Sequence, residues 1–301
     1  MAPWQDNRGR FAPLKALVFA ALFAPAAWLL YAFLAKALGP RPITEMIHES
    51  GDWTIRLIFI ALAITPLRLL LGWPNLIALR RMVGVAALAY ACLHLCMYVA
   101  DVAFDLGKAV SEIWLRSYLT IGFITLLALV PLGVTSTNGM MRRLGGKRWR
   151  RLHQTIYVIA ILALVHFFWQ SKLDITEPVI MAGLYLWMMA FRLLPNRARR
   201  GIPALAAMAG IAIAAGVLTA FGEALYYHLR VGAKIERVLS AHLSFDYSLA
   251  PGWIVLAICW GVLVVGVVRI ALTGLVSRMP AAPRPPKAEA LARTTAKARN
   301  A

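Results

Sequence analysis

Apolar stretches, each about as long as a bilayer-crossing helix, alternate with short polar connections along most of this chain. A spanning helix needs about 20 predominantly apolar residues. Eight runs come within a few residues of that length: Leu14–Leu38, Trp53–Leu71, Met82–Ala100, Tyr118–Val134, Leu152–Trp169, Ile175–Leu194, Ile202–Ala224 and Trp253–Leu275. The pattern predicts an all-α, polytopic transmembrane helix bundle of about eight spans. The first run follows MAPWQDNRGRFAPLK without a clear small-residue cleavage site, so it reads as a retained anchor rather than a removed signal peptide. No internal repeat stands out.

Charge gives the spans a direction. Arg8, Arg10 and Lys15 precede the first run, and Arg68, Arg80 and Arg81 separate the second from the third. The connection MMRRLGGKRWRR follows the fourth, and Arg192, Arg197, Arg199 and Arg200 follow the sixth. The intervening connections are mixed or acidic, with Glu45, Glu49 and Asp52, then Asp101, Asp105 and Glu112, then Asp174 and Glu177. Lys and Arg favour the cytoplasmic side, so both termini are expected in the cytoplasm.

Composition agrees with a membrane setting. Of 301 residues, 61% are hydrophobic and only 15% charged, against about a quarter charged in soluble domains. The net charge of +19 is spread as punctuation between apolar runs. That distribution argues against a nucleic-acid-binding face. Cys92, Cys96 and Cys259 all fall inside apolar runs and form no CxxC pair, so neither a disulfide framework nor a zinc ribbon is supported. Cys92 and Cys96 are expected as small packing residues.

Three of the six histidines fall in the membrane runs. His94 lies about 12 residues, or about 18 Å, from the cytoplasmic end of the third run. His166 lies about 14 residues, or about 21 Å, from the start of the fifth. The two share a depth in the outer half of the bilayer. A single intramembrane His is readily explained as a polar residue hydrogen-bonded within a bundle. A depth-matched pair on two helices favours axial ligation of one haem iron, a centre that carries single electrons. His153 lies about 20 Å below His166, but on an ideal helix the two project about 140° apart. They share a face only if that helix bends or is irregular. Arg80 projects within about 40° of His94, at about the height of His153. It suits haem propionates or an inner site, and serves equally well as a topology signal. His48, His228 and His242 read as solvated loop residues. Trp149, Tyr157 and Trp169 suit interfacial belts or packing against a macrocycle.

GDWTIRLIFIALAITPLR, RRMVGVAALAYACLHLCMY and LGGKRWRRLHQTIYVIAILALVHFFW together resemble the MsrQ (formerly YedZ) family. These are haem-binding membrane subunits of a periplasmic methionine sulfoxide reductase system, grouped with ferric-reductase-like transmembrane domains. The resemblance covers roughly Gly39 to Leu194. It implies a haem b protein of the bacterial inner membrane, with one or two haems and FMN as an associated cofactor. The implied donors are the quinone pool or a cytoplasmic flavin reductase, and the implied acceptor is a periplasmic molybdopterin subunit, MsrP. It also implies His94, His153 and His166 as haem ligands.

Four regions follow: 1–38, a tail and first anchor; 39–200, the ferric-reductase-like haem-binding core; 201–279, an additional helix pair with an extracytoplasmic loop; and 280–301, a basic tail expected to be disordered and to lie against anionic lipid. No GxGxxG, P-loop or Ser/His/Asp arrangement is present. The expected role is therefore an electron-transfer subunit whose substrate chemistry happens on another protein. The alternatives are a ferric or other small-acceptor reductase of the same superfamily, or a cofactor-free transporter or assembly protein.

Overall fold

The computed structural model describes residues 2–5, 9–244 and 249–278, with backbone alone for 273–278. The described residues fold into helices: α1 (Pro13–Ala21), α2 (Ala24–Leu34), α3 (Pro42–Leu70), α4 (Arg80–Asp101), α5 (Leu106–Leu115), α6 (Ser117–Val134), α7 (Asn138–Leu144), α8 (Gly146–Gln154), α9 (Ile156–Gln170), α10 (Thr176–Leu193), α11 (Gly201–Val231), α12 (Ile235–Leu243) and α13 (Pro251–Arg278). Proline stands in the first turn of α1, α2 and α3, where its missing N–H costs nothing. Asp105 caps α5 and Thr137 caps α7, each accepting from the backbone N–H three residues on.

Seven helical stretches among the described residues are long and apolar enough to cross a membrane: Pro13–Leu34, Pro42–Leu70, Pro74–Asp101, Ser117–Val134, Gly146–Gln170, Gly201–Val231 and Pro251–Leu272. They establish an all-α, multi-pass membrane bundle. The sixth predicted run forms α10, which is 18 residues long with Glu177 in its first turn and Arg192 in its last. Those ends make it less apolar than the other seven. It still lies in the core, burying Tyr185, Trp187, Met188 and Phe191.

Several local expectations are corrected. The first run is two helices: Pro25 has no N–H to give to Ala21 O, and Tyr90 of α4 enters the gap, its hydroxyl donating to Leu22 O at 2.8 Å and accepting from Ala26 N–H at 3.0 Å. A side chain inserted into the i→i+4 ladder is a recognised cause of a kink. α3 begins eleven residues before the expected Trp53, so Glu45, Glu49 and Asp52 are helical and His48 is an exposed helical residue. MMRRLGGKRWRR is not a loop but most of α7 and α8, parted at Gly145 with φ 75°. Cys92 and Cys96 are exposed rather than packed, whereas Cys259 is buried. The basic tail 280–301 lies outside the described residues.

The region after α10 is no loose appendage. One hydrophobic cluster runs from Ile58, Leu62 and Leu70 of α3 through Trp187 and Phe191 to Met208, Ala212, Val255 and Cys259. α11 and α13 meet where a Cβ on Gly252 would stand 2.8 Å from Gly216 O, the close backbone approach that small residues permit in membranes. The expected outer loop is largely helical. His242, expected to be solvated, is buried in α12. Its Nε2 lies 3.1 Å from Glu223 Oε2, close enough for an ion pair though not aligned as a hydrogen bond. Its Nδ1 donates to Val238 O, and Trp253 Nε1–H donates to the His242 carbonyl.

Removing one member of the pair leaves the other's buried polar group without its neighbour, typically at about 1–3 kcal/mol. His242→Ala should therefore lower the melting temperature of the detergent-solubilised protein well below that of His228→Ala, since His228 is exposed. Equal melting of the two variants would mean that the Glu223–His242 contact contributes nothing to stability.

Candidate functional site

His94 on α4 and His166 on α9 are brought together by α3 and α6, which supply the groups that hold them. The two ring centroids lie 6.2 Å apart with planes at 83°. His94 Nδ1 is 2.8 Å from the carbonyl oxygen of Ile47 in α3. His166 Nδ1 is 2.8 Å from the carbonyl oxygen of Tyr118 in α6. A carbonyl oxygen only accepts, so each Nδ1 carries the proton. Each Nε2 is then an unprotonated lone pair with no hydrogen-bond partner among the described residues. This is how proteins orient a metal-ligating histidine: the other ring N–H is tied to a carbonyl or carboxylate.

The same local device serves both. Gly51 stands four residues after Ile47, and Gly122 four residues after Tyr118. Residues four apart share a helix face, so each glycine faces the imidazole bonded to the carbonyl one turn earlier. A Cβ at Gly51 would meet the His94 ring at 3.0 Å, and one at Gly122 would meet the His166 ring at 2.7 Å.

Both imidazoles line a cavity of about 860 Å³, within the range of about 300–1,000 Å³ usual for cofactor pockets. Ile55, Ile58, Leu126, Leu129 and Ala163 make its apolar part. Its rim is polar, with His48, Asp52, Gln170, Lys172, Asp174 and Glu177. Glu177 is held by Arg56 through two bonds, Nε–Oε1 at 2.7 Å and Nη2–Oε2 at 2.8 Å. The rim loop is tied to α11, since the hydroxyls of Tyr226 and Tyr227 donate to the carbonyls of Lys172 and Leu173.

His153 and Arg80 do not line this cavity. The fifth run is interrupted at Thr155, between α8 and α9. His153 stacks on Trp149 with centroids 3.7 Å apart, donates from Nδ1 to Trp149 O, and has Nε2 3.4 Å from Ser136 Oγ. Arg80 lies within electrostatic reach of His153, Tyr157 and Arg192. Arg192 sits over the Tyr157 ring at 5.3 Å and donates to Leu62 O and Met188 O. The structure thus makes a second, inner polar cluster. The expected Trp149 and Tyr157 belong to it, whereas Trp169 is half exposed.

Sequence reasoning missed Gly51, Gly122 and the two accepting carbonyls. A carbonyl has no sequence signal, and glycines are common in membrane helices. The Arg56–Glu177 pair was also missed, because its members belong to different runs.

The fold and site define a class: an all-α, multi-pass membrane protein with two half-buried imidazoles presented to one cavity. The family described as ferric reductase like transmembrane component matches residues 50–164, a stretch that includes His94 and His153 and ends just before His166. The protein-methionine-sulfoxide reductase heme-binding subunit MsrQ of Rhodospirillum rubrum is 43% identical over 197 residues, covering 65% of this chain and 92% of that protein. Its counterparts from Herminiimonas arsenicoxydans and Caulobacter vibrioides are each 40% identical over 182 residues, 60% of this chain and 84% and 87% of theirs. The chain belongs to the MsrQ family. No solved structure matches it.

The glycine device is testable by stability alone. Gly122→Ala should displace His166 and break its bond to Tyr118, a loss of about 1–3 kcal/mol for an unsatisfied buried group; Gly51→Ala should cost less. Gly84→Ala, with open space around it, should be neutral or stabilising by up to about 1 kcal/mol. Thermal denaturation in detergent reads all three. A Gly122→Ala protein as stable as Gly84→Ala would show that His166 does not need the glycine.

Proposed function

We propose that this chain is a haem b electron-transfer subunit of the bacterial inner membrane, with His94 and His166 as the two axial ligands. The observation that carries the reading is the pair of free Nε2 atoms facing one cavity. Two metal–nitrogen bonds of about 2 Å each, extended by the roughly 1 Å from each nitrogen to its ring centre, span about 6 Å. The observed centroid separation of 6.2 Å fits that span, and the apolar walls fit a macrocycle. Haem held there supplies a one-electron carrier with no open coordination position. The chain's own residues do the rest. Ile47 and Tyr118 fix the tautomers, Gly51 and Gly122 admit the rings, and the apolar walls exclude water.

The relatives' name places them in a methionine sulfoxide reductase system, and the reading extends this to the present chain. Its acceptor is a periplasmic molybdopterin methionine sulfoxide reductase (MsrP), which repairs oxidised periplasmic proteins. Its donor is the quinone pool or a cytoplasmic flavin reductase. Both termini are cytoplasmic in this account, so the His94–His166 cavity opens toward the periplasm through its polar rim. Arg80, His153 and the basic helices α7 and α8 form the inner approach, with charge suited to the phosphate of FMN. One haem, not two, is favoured, because His153 is already engaged by Trp149 and Ser136 and among the described residues no second histidine faces it. The ferric reductase like match supports a second reading, direct reduction of ferric iron or another small acceptor.

Protein purified with ample haem should bind one haem per chain and show a b-type Soret band that shifts on reduction. A ratio of two would make His153 a ligand after all, and no haem would end the reading. The dithionite-reduced protein should be reoxidised by MsrP plus a methionine sulfoxide substrate faster than by ferric citrate. The reverse order would favour the small-acceptor reductase.

A further inference from the structure

The bend between α1 and α2 has a consequence on the membrane-facing side of the bundle. Because Pro25 gives no N–H to Ala21 O and the Tyr90 hydroxyl stands between Leu22 O and Ala26 N–H, the first span turns where it crosses α4. A second cavity of about 860 Å³ lies between α1, α2, α4 and α7. Its apolar wall includes Phe19, Phe23, Val85 and Ala89. Phe23 and Val85 are exposed, at 57% and 42%, so the groove opens sideways to where acyl chains lie.

The polar residues of this groove include two cations, Lys15 and Arg81, with Gln5 and Asn138. Lys15 Nζ donates to Gln5 O at 2.9 Å, and Arg81 Nη1 donates to Asn138 Oδ1 at 2.5 Å. Both acceptors are neutral. Among the described residues no carboxylate pairs with either cation. Each keeps further N–H donors, since an ammonium has three and a guanidinium five. A groove with apolar walls and two cations that no described carboxylate pairs with is complementary to an amphiphile with an anionic head. A free phosphate would leave the apolar wall unused, and a neutral amphiphile would leave the cations unanswered.

We propose that this groove is a binding site for one anionic phospholipid, with its phosphate at the Lys15–Arg81 end and an acyl chain along Phe19, Phe23 and Val85. Basic recesses between membrane helices on the cytoplasmic side recognise such head groups, and Lys15 and Arg81 belong to the side assigned to the cytoplasm. The site stands apart from the His94–His166 cavity, and its occupancy does not depend on haem.

Native mass spectrometry of the full-length protein in detergent tests the proposal, with phosphatidylglycerol, phosphatidylcholine and inorganic phosphate as probes. One tightly retained phosphatidylglycerol is expected, preferred over phosphatidylcholine by roughly tenfold or more for two cations near the head group. Lys15→Gln/Arg81→Gln should abolish that preference. Arg197→Gln/Arg200→Gln, which removes the same charge at two exposed positions outside the groove, should leave it intact. Ala89→Trp, which fills the groove, should weaken both lipids. Unchanged melting temperatures establish that the variants remain folded. Equal retention of the two lipids, a preference that survives Lys15→Gln/Arg81→Gln, or inorganic phosphate binding as tightly as the lipid would each overturn the proposal.

Discussion

An imidazole taken into a bilayer has an N–H that must find an acceptor, because an unsatisfied polar group there costs about 2–7 kcal/mol. In this bundle that constraint sets the geometry of the site. His94 and His166 each give their Nδ1 proton to a helix carbonyl, Ile47 or Tyr118. A helical carbonyl is ordinarily occupied by the N–H one turn on and screened by side chains. Glycine one turn later opens a lateral approach, so an imidazole on the neighbouring helix can add a second bond. The tautomer, the ring orientation and the free Nε2 follow from that one contact made twice.

The rest of the bundle meets the same constraint by other means. Tyr90 satisfies two backbone groups of the first span by placing its hydroxyl between them. Arg192 spreads its donors over Leu62 O, Met188 O and the Tyr157 hydroxyl. Arg56 takes Glu177 in a bidentate pair beside the cavity rim, a geometry stronger than a single charged contact. Glu223 and His242 meet where α12 folds back on α11. α11 in turn holds the rim loop through Tyr226 and Tyr227. The helices beyond α10 thus support the site's outer edge while sharing the core.

The spans were legible in the sequence because a bilayer demands long apolar runs, and six of the eight predicted runs each fall in one continuous helix to within a residue at either end. The pairing of His94 with His166 was legible as well, since depth along a helix is read directly from residue number. What escaped was set by contacts between helices. The first eleven residues of α3 were hidden by Glu45, Glu49 and Asp52, which look like a loop to any hydropathy argument. The α1–α2 break has a local cause in Pro25, but the hydroxyl that fills it comes from Tyr90, far along the chain. His242 sits among polar residues in sequence, and only its tertiary partner Glu223 explains its burial. Helix phase turns His153 away from His166, and the interruption at Thr155 does not bring it into the cavity that His94 and His166 line.

The central claim is that His94 and His166 hold one iron together, and electron paramagnetic resonance of the oxidised protein tests it most directly. Two imidazole ligands make ferric haem low-spin. The account predicts a low-spin ferric signal from the unmodified protein. In His94→Ala or His166→Ala it predicts loss of that signal, with high-spin or lost haem, whereas His153→Ala keeps it. A low-spin signal that survives either of the first two replacements, or vanishes with the third, would contradict the account.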